Sequence, residues 1–315
     1  MDAWERLGGA IGRHMVYIMP CCLALGIAFP QVFSVLTPLV SPMFMVMAFQ
    51  GALGNRFSNV RRTFRQPLPL ILILGTAHVF MPILVFLVAG IFVGGDSEVM
   101  AGVLLEYCVP IASSSIMWVG MYEGDIALAL SAILISAVIC PFTLPVTMRL
   151  LLGTSVSVDV GSMMTQLLVV VALPTVVGTL VNERTDGWGK KVLGRRLAPL
   201  AKVLLLVIIT TNSTSIAPFV RNLNPELVGI IVLMGIFCVG GFFLGFALPT
   251  VTGQPDDRFA SMTFTTAMKN ISAGAVIATA YLPARSLFPV MAGTFFQQFM
   301  AALFGRLMAR RFASS

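Results

Sequence analysis

Two stretches concentrate polar side chains inside otherwise apolar sequence. The first, LLEYCVPIASSSIMWVGMYEGD (Leu104–Asp125), carries Glu106, Pro110 and three consecutive serines, Ser113, Ser114 and Ser115. The second, DDRFASMTFTTAMKNISAGAVIATAYLP (Asp256–Pro283), carries Thr263, Thr265, Thr266, Lys269, Asn270, Ser272 and Gly274. Hydroxyl, amide and main-chain oxygens are ligands for a hard cation; an ammonium or a helix N-terminus holds an anion. This chemistry is binding rather than bond-making. His14 and His78 are the only histidines, and no HExxH, GxGD or GxSxG motif occurs, Tyr122-Glu123-Gly124-Asp125 being the nearest approach to GxGD. An intramembrane enzyme has no acid–base constellation to work with. The five cysteines, Cys21, Cys22, Cys108, Cys140 and Cys238, form no CxxC pair and read as small buried hydrophobes.

The elements that must position these residues are membrane spans. Of 315 residues 57% are hydrophobic and only 10% charged, and the mean hydropathy is +0.94. A soluble domain has too few polar residues to cover that much apolar surface. Spans are predicted at 14–33, 36–53, 67–94, 98–121, 126–151, 160–181, 198–217, 226–249, 258–281 and 285–308, ten in all. Met1–Arg13 is polar and a full-length apolar segment follows, so the start reads as a first spanning helix rather than a cleaved signal. Lysines and arginines orient the spans: sixteen of the twenty fall on the side of the two termini, three (Arg149, Arg221 and Arg285) on the other, and Lys269 lies mid-span. Both termini are therefore expected in the cytoplasm of a multi-pass cell-membrane protein. The net charge of +7 sits in short loops, a topology signal rather than a nucleic-acid stripe. The expected partners are the bilayer and a small-molecule organic anion, not nucleic acid, and the expected state is a monomer.

The small polar linker Gly153–Asp159 (GTSVSVD) divides the chain nearly in half. Five spans per half is odd, so 154–315 must sit inverted relative to 1–153, a common transporter plan with its site at the midplane. The fourth and ninth spans hold equivalent places. Lys269 lies eleven residues past Arg258, about 17 Å along a helix, and Ser114 nine residues before Glu123, about 14 Å. The two polar clusters should meet mid-membrane, where broken backbone is tolerated only if it is buried in protein or lines a cavity. A central lysine costs about 2.5–3.5 kcal/mol to insert. Its structural explanation is an ion pair, with Glu106 as the candidate; its functional explanation is a binding charge. His78 reads more readily as an interhelical hydrogen-bonder than as a proton carrier, and the polar run Thr210–Ser215 as cavity wall or helix packing.

The stretch CVPIASSSIMWVGMYEGDIALALSAILISAVICPFTLPVTMRLLLG (Cys108–Gly153) resembles the fourth and fifth helices of the bile acid:sodium symporter family, with Pro110, Gly124–Asp125, Ala127–Leu128, Pro141 and Pro145 at the family's spacings. AMKNISAGAVIAT (Ala267–Thr279) resembles its E-x-G-x-Q-N-S-G-L-A motif. The resemblance implies an all-α fold of ten helices in two inverted five-helix repeats. Helices 1, 2, 6 and 7 would form a panel; helices 3–5 and 8–10 would form a core in which broken helices 4 and 9 cross. It implies secondary transport of an organic anion, such as a bile acid, sterol or carboxylate, by alternating access coupled to sodium, with no other cofactor.

This chain departs from the pattern at the ion site. The family's sodium-binding Glu falls at Thr265, its Gln at Lys269 and its Asn at Ile116, while Asn270 and Ser115 are kept as possible residual sodium ligands. The fifth-helix hydroxyl positions fall at Ala129 and Ile133, with Ser131 and Ser136 close by. Lys269 is expected to stand in for the ion, which would leave transport coupled to protons if the lysine titrates, or uncoupled if it does not. Sodium symport through Asn270, Ser115 and main-chain carbonyls is the remaining option. The runner-up family is the arsenite-efflux permeases, suggested by Cys108, Trp118-Val119 and Gly124–Asp125; its cysteine lies closer to the tryptophan than here, and its ninth-helix carboxylate is missing. A non-transport receptor or scaffold is the alternative of another class.

Overall fold

The computed structural model describes residues 3–93, 95–153 and 159–313, so the linker residues 154–158 lie outside the described residues. Among these every regular element is helical, and the only extended pairing is an isolated antiparallel bridge between Ile111 and Lys269. Seven helices are long and apolar enough to cross a membrane, or eight if the bent pair at the N-terminus counts as one span.

In chain order α1 is Ala3–Arg13 and α2 Met15–Ala28, α3 is Pro30–Ala52, and α4 is Phe57–Thr63. Next come α5, Leu68–Phe92, α6, Ser97–Cys108, α7, Ser115–Met121, and α8, Ile126–Leu152. α9 is Val160–Arg184 and α10 Gly189–Arg221. α11 is Pro225–Val251, α12 Asp256–Ala267, α13 Ile271–Tyr281 and α14 Leu287–Ala313. The boundary between the first two predicted spans differs from the sequence reading. The chain breaks at Phe29 (φ −122°, ψ 56°) and Pro30 starts a new helix at its first position, which then continues to Ala52. Met15–Ala28 is correspondingly short.

α2, α3, α9 and α10 pack on one another as a first group, and α5, α6, α8, α11, α12, α13 and α14 pack as a second, with α7 against α12; the two groups meet along α8 and α9 and where α13 touches α3, α9 and α10. With lipid tails outside, apolar burial does little to pull spans together, so close backbone approach decides which helices pair. Gly178 of α9 supplies one such approach: a Cβ there would lie 2.5 Å from the Phe49 carbonyl of α3. Gly245 of α11 supplies another, 2.6 Å from the Thr263 carbonyl of α12. Large apolar side chains cover the outside, among them Val35, Phe92, Leu150 and Phe243, as a lipid-facing surface requires. α1 turns 87° from α2 and packs against α10 instead. There Trp4 Nε1 donates to the Arg196 carbonyl at 2.9 Å, Lys202 Nζ to the Gly8 carbonyl at 2.6 Å, and Glu5 pairs with Arg195 at 2.7 Å.

Candidate functional site

The two polar stretches form the two broken helices. α6 stops at Cys108, the chain runs extended through Pro110 and Ile111, and α7 begins at Ser115. α12 stops at Ala267, Met268 is extended, and α13 begins at Ile271. Proline cannot continue the ladder of α6, and the residue before it is driven out of the helical region, as Val109 is (φ −66°, ψ 161°). The freed backbone is paired across the crossing: Ala112 N–H donates to the Met268 carbonyl at 3.0 Å and Asn270 N–H to the Pro110 carbonyl at 2.8 Å. The two extended strips therefore satisfy part of each other's backbone.

Lys269 sits in this crossing, 2% exposed. Its Nζ donates to the Ala77 carbonyl of α5 at 2.6 Å. That carbonyl is free for a reason written in the sequence. Residues Thr76–Phe80 form a π-turn, so Met81 N–H bonds Thr76 rather than Ala77, and the following residue, Pro82, has no N–H to give. No carboxylate pairs with Lys269 among the described residues; the ion pair with Glu106 envisaged from sequence is replaced by this carbonyl contact. A hydrogen bond to a charged group is worth about 1.5–3 kcal/mol, comparable to the insertion cost.

Around this contact a hydroxyl network pins the first broken helix. Ile111 N–H donates to Ser136 Oγ at 2.9 Å, Ser136 Oγ lies 2.8 Å from His78 Nε2, and Thr143 Oγ1 lies 3.5 Å from His78 Nδ1. His78 belongs to the same π-turn that frees Ala77. The second broken helix is held by a residue that the sequence reading missed. Gln297 of α14 accepts from Lys269 N–H at 2.7 Å and donates to the Lys269 carbonyl at 3.1 Å. Its neighbour Gln298 accepts from Trp118 Nε1 of α7 at 3.3 Å. The signal was two adjacent glutamines inside an otherwise apolar span.

The other sequence candidates divide. Asn270 Oδ1 caps α13 by accepting from Ala273 N–H at 3.2 Å. Ser115 Oγ donates to its own segment at Ala112, and Thr265 Oγ1 to Ser261. Thr266 Oγ1 has no hydrogen-bond partner among the described residues. Ser131 Oγ lies 3.0 Å from Thr63 Oγ1 of α4, away from the crossing network. Ser113 and Ser114 are exposed. Glu106 is buried with Oε2 unpartnered; its carboxyl faces Gly274 and Gly293, where an added Cβ would lie 3.8 Å from Oε2 and 2.7 Å from Oε1 respectively. At the position of the family's carboxylate, the Thr265 hydroxyl turns to its own helix, and Lys269 sits in the crossing.

One opening adjoins the crossing and another lies away from it. A constriction of about 20 Å³, room for one water, lies between Phe44, Asn55 and Thr175 of the first helix group and Pro110, Ser113 and Asn270. At one end of the bundle a wider cavity of about 490 Å³ is lined by residues from the connections α3–α5, α7–α8 and α9–α10.

Comparison with known proteins bears on what this arrangement does. Residues 41–220, more than half of the chain, match the model of the Sodium Bile acid symporter family; the match includes the first broken helix and ends before the second. The chain is similar to the uncharacterized protein YbaS of Bacillus subtilis (strain 168), 32% identical over 94% of this chain and 97% of that one. It is also similar to the probable chloroplastic sodium/metabolite cotransporter BASS3 of Arabidopsis thaliana, 28% identical over 72% of this chain and 52% of that one. A third relative is the ileal sodium/bile acid cotransporter of Homo sapiens, 27% identical over 53% of this chain and 48% of that one. The chain thus spans about half the length of the named cotransporters it matches.

Proposed function

The chain belongs to the Sodium Bile acid symporter family, and from that premise we propose that it is a secondary transporter moving an organic anion across the cell membrane, with Lys269 in the place of a coupling cation. It is a multi-pass membrane protein of a transporter family, not an enzyme. Counting Met15–Ala28 and each broken pair as one span makes ten, in two inverted halves with both termini cytoplasmic. On this reading the group α2, α3, α9 and α10 is a panel against which the second group rocks, so that the small cavity between them faces each side in turn.

The observation that carries the proposal is the Lys269 Nζ contact with the Ala77 carbonyl. A cation at this place can tie the second broken helix to α5 and offset the two helix C-termini that converge there. A covalently held ammonium does this without an ion from solution. Substrate movement is therefore expected without sodium, either uncoupled or coupled to protons. The test is uptake of labelled taurocholate, pyruvate and citrate into proteoliposomes with sodium or potassium outside. Equal rates in both salts support the reading; uptake only with sodium overturns the role of Lys269 while leaving the transport assignment intact.

A further inference from the structure

We infer that the wider cavity is a binding site for a multivalent anion, a polycarboxylate or phosphate group, and that the transported anion belongs to this class. The inference rests on the transport reading above and narrows it.

The cavity, about 490 Å³, falls in the range of small-molecule sites. Four cations line it: Arg56, just before α4, Arg62, near its end, and Lys190 and Lys191, in the first turn of α10. They face it from separate connections, and the first turn of α8, at Ile126 and Ala127, forms another wall. Against these four stands one lining acid, Asp125. Its Oδ1 is engaged as the cap of α8, accepting from Ala127 N–H at 2.9 Å and Leu128 N–H at 3.1 Å. Arg56 has a long contact of 3.7 Å with Asp186, a carboxylate in open solvent, which is worth little. Arg62, Lys190 and Lys191 have no carboxylate within 4.0 Å among the described residues.

An excess of positive residues at this end follows from topology alone. Topology does not require them to ring one hollow from two connections. Like charges gathered around a concave site repel at short range and focus field on whatever enters. A single negative charge leaves most of that field unbalanced. An anion with two or three charges can meet an arginine fork and a lysine at once. Bound there, it would bridge the α9–α10 connection of the panel to the α3–α5 connection and the start of α8, so its arrival and departure would be felt by both helix groups.

The test is a melting experiment on the full chain in nanodiscs of zwitterionic lipid, with citrate, inorganic phosphate or acetate at matched ionic strength. Citrate and phosphate are expected to raise the melting temperature and acetate to leave it unchanged. In the Lys190→Gln/Lys191→Gln variant the apparent citrate affinity should fall by about tenfold or more, the equivalent of about 1.4 kcal/mol. Both lysines are exposed, so the variant should melt like the parent without anion. Arg62→Gln provides a second, independent removal. Equal shifts with acetate and citrate would mean screening only and would overturn the site, as would an undiminished citrate shift in both variants. A parallel sample in phosphatidylglycerol nanodiscs separates a soluble anion from a lipid headgroup: stabilisation by that lipid with citrate inert in the zwitterionic discs also overturns the proposal. Failure here would leave monovalent organic-anion transport standing, because the proteoliposome assay reads taurocholate and pyruvate independently of this cavity's charge preference.

Discussion

Lys269→Gln combined with Thr265→Glu should convert the protein from indifference to sodium into dependence on it. Removing the ammonium loses its 2.6 Å bond to Ala77, about 1.5–3 kcal/mol for a charged donor, and leaves a buried carbonyl that Pro82 cannot serve. Thr265 is 0% exposed, so the new carboxylate is buried and costs further stability until a cation joins it. With potassium alone the double variant should melt well below the parent. Sodium at 100 times its dissociation constant should return about 2.7 kcal/mol, a rise of several degrees. The assay is thermal unfolding in detergent with sodium or potassium chloride at equal ionic strength. Lys269→Gln alone should be destabilised equally in both salts. A double variant that ignores sodium, or a parent that gains the same sodium shift, would refute the reasoning that the ammonium replaces the ion.

Gln297→Ala should destabilise more than an ordinary surface change, by about 1–3 kcal/mol for each buried group left unpaired, because both Lys269 N–H and C=O lose their partner; chemical denaturation or thermal melting reads it. Ser136→Ala should cost about 1–3 kcal/mol by stranding Ile111 N–H, whereas Ser131→Ala, whose partners lie away from the crossing network, should leave transport unchanged in the proteoliposome assay. Gly178→Ala should weaken the α3–α9 contact by about 1–3 kcal/mol, since its Cβ would meet the Phe49 carbonyl. The Arg195 guanidinium, hydrogen-bonded to Glu5, holds that carboxyl below the usual carboxylate range. A depressed acid stabilises above its unfolded pKa and loses this as pH falls through the folded value, so α1 should loosen below about pH 4. Trp4 fluorescence in a Trp118→Phe/Trp188→Phe background would follow it; no change on acidification would count against the contact.

Much of the helix crossing was legible because breaks in apolar sequence have few explanations. Pro110, the serine run and Lys269-Asn270 marked where α6–α7 and α12–α13 interrupt, and helical rise alone placed them at matching depth. The partner of Lys269 was not legible. Charge pairing pointed to Glu106, whereas the ammonium went to a main-chain carbonyl exposed by one π-turn. Hydropathy carries no trace of such a turn, although Pro82 was its visible half. Gln297 escaped for a related reason: an amide in a span shows no role until the backbone it clamps is known. The first span boundary was misplaced because the apolar run continues through Pro30 and only the local backbone shows where the helix stops.

The most direct measurement is counterflow of labelled taurocholate, pyruvate and citrate in proteoliposomes of the wild-type chain, run in sodium and in potassium. Transport of at least one anion at the same rate in both salts is the expected result. Exchange that requires sodium would contradict the place given to Lys269, and no exchange of any of the three anions in either salt would contradict organic-anion transport itself.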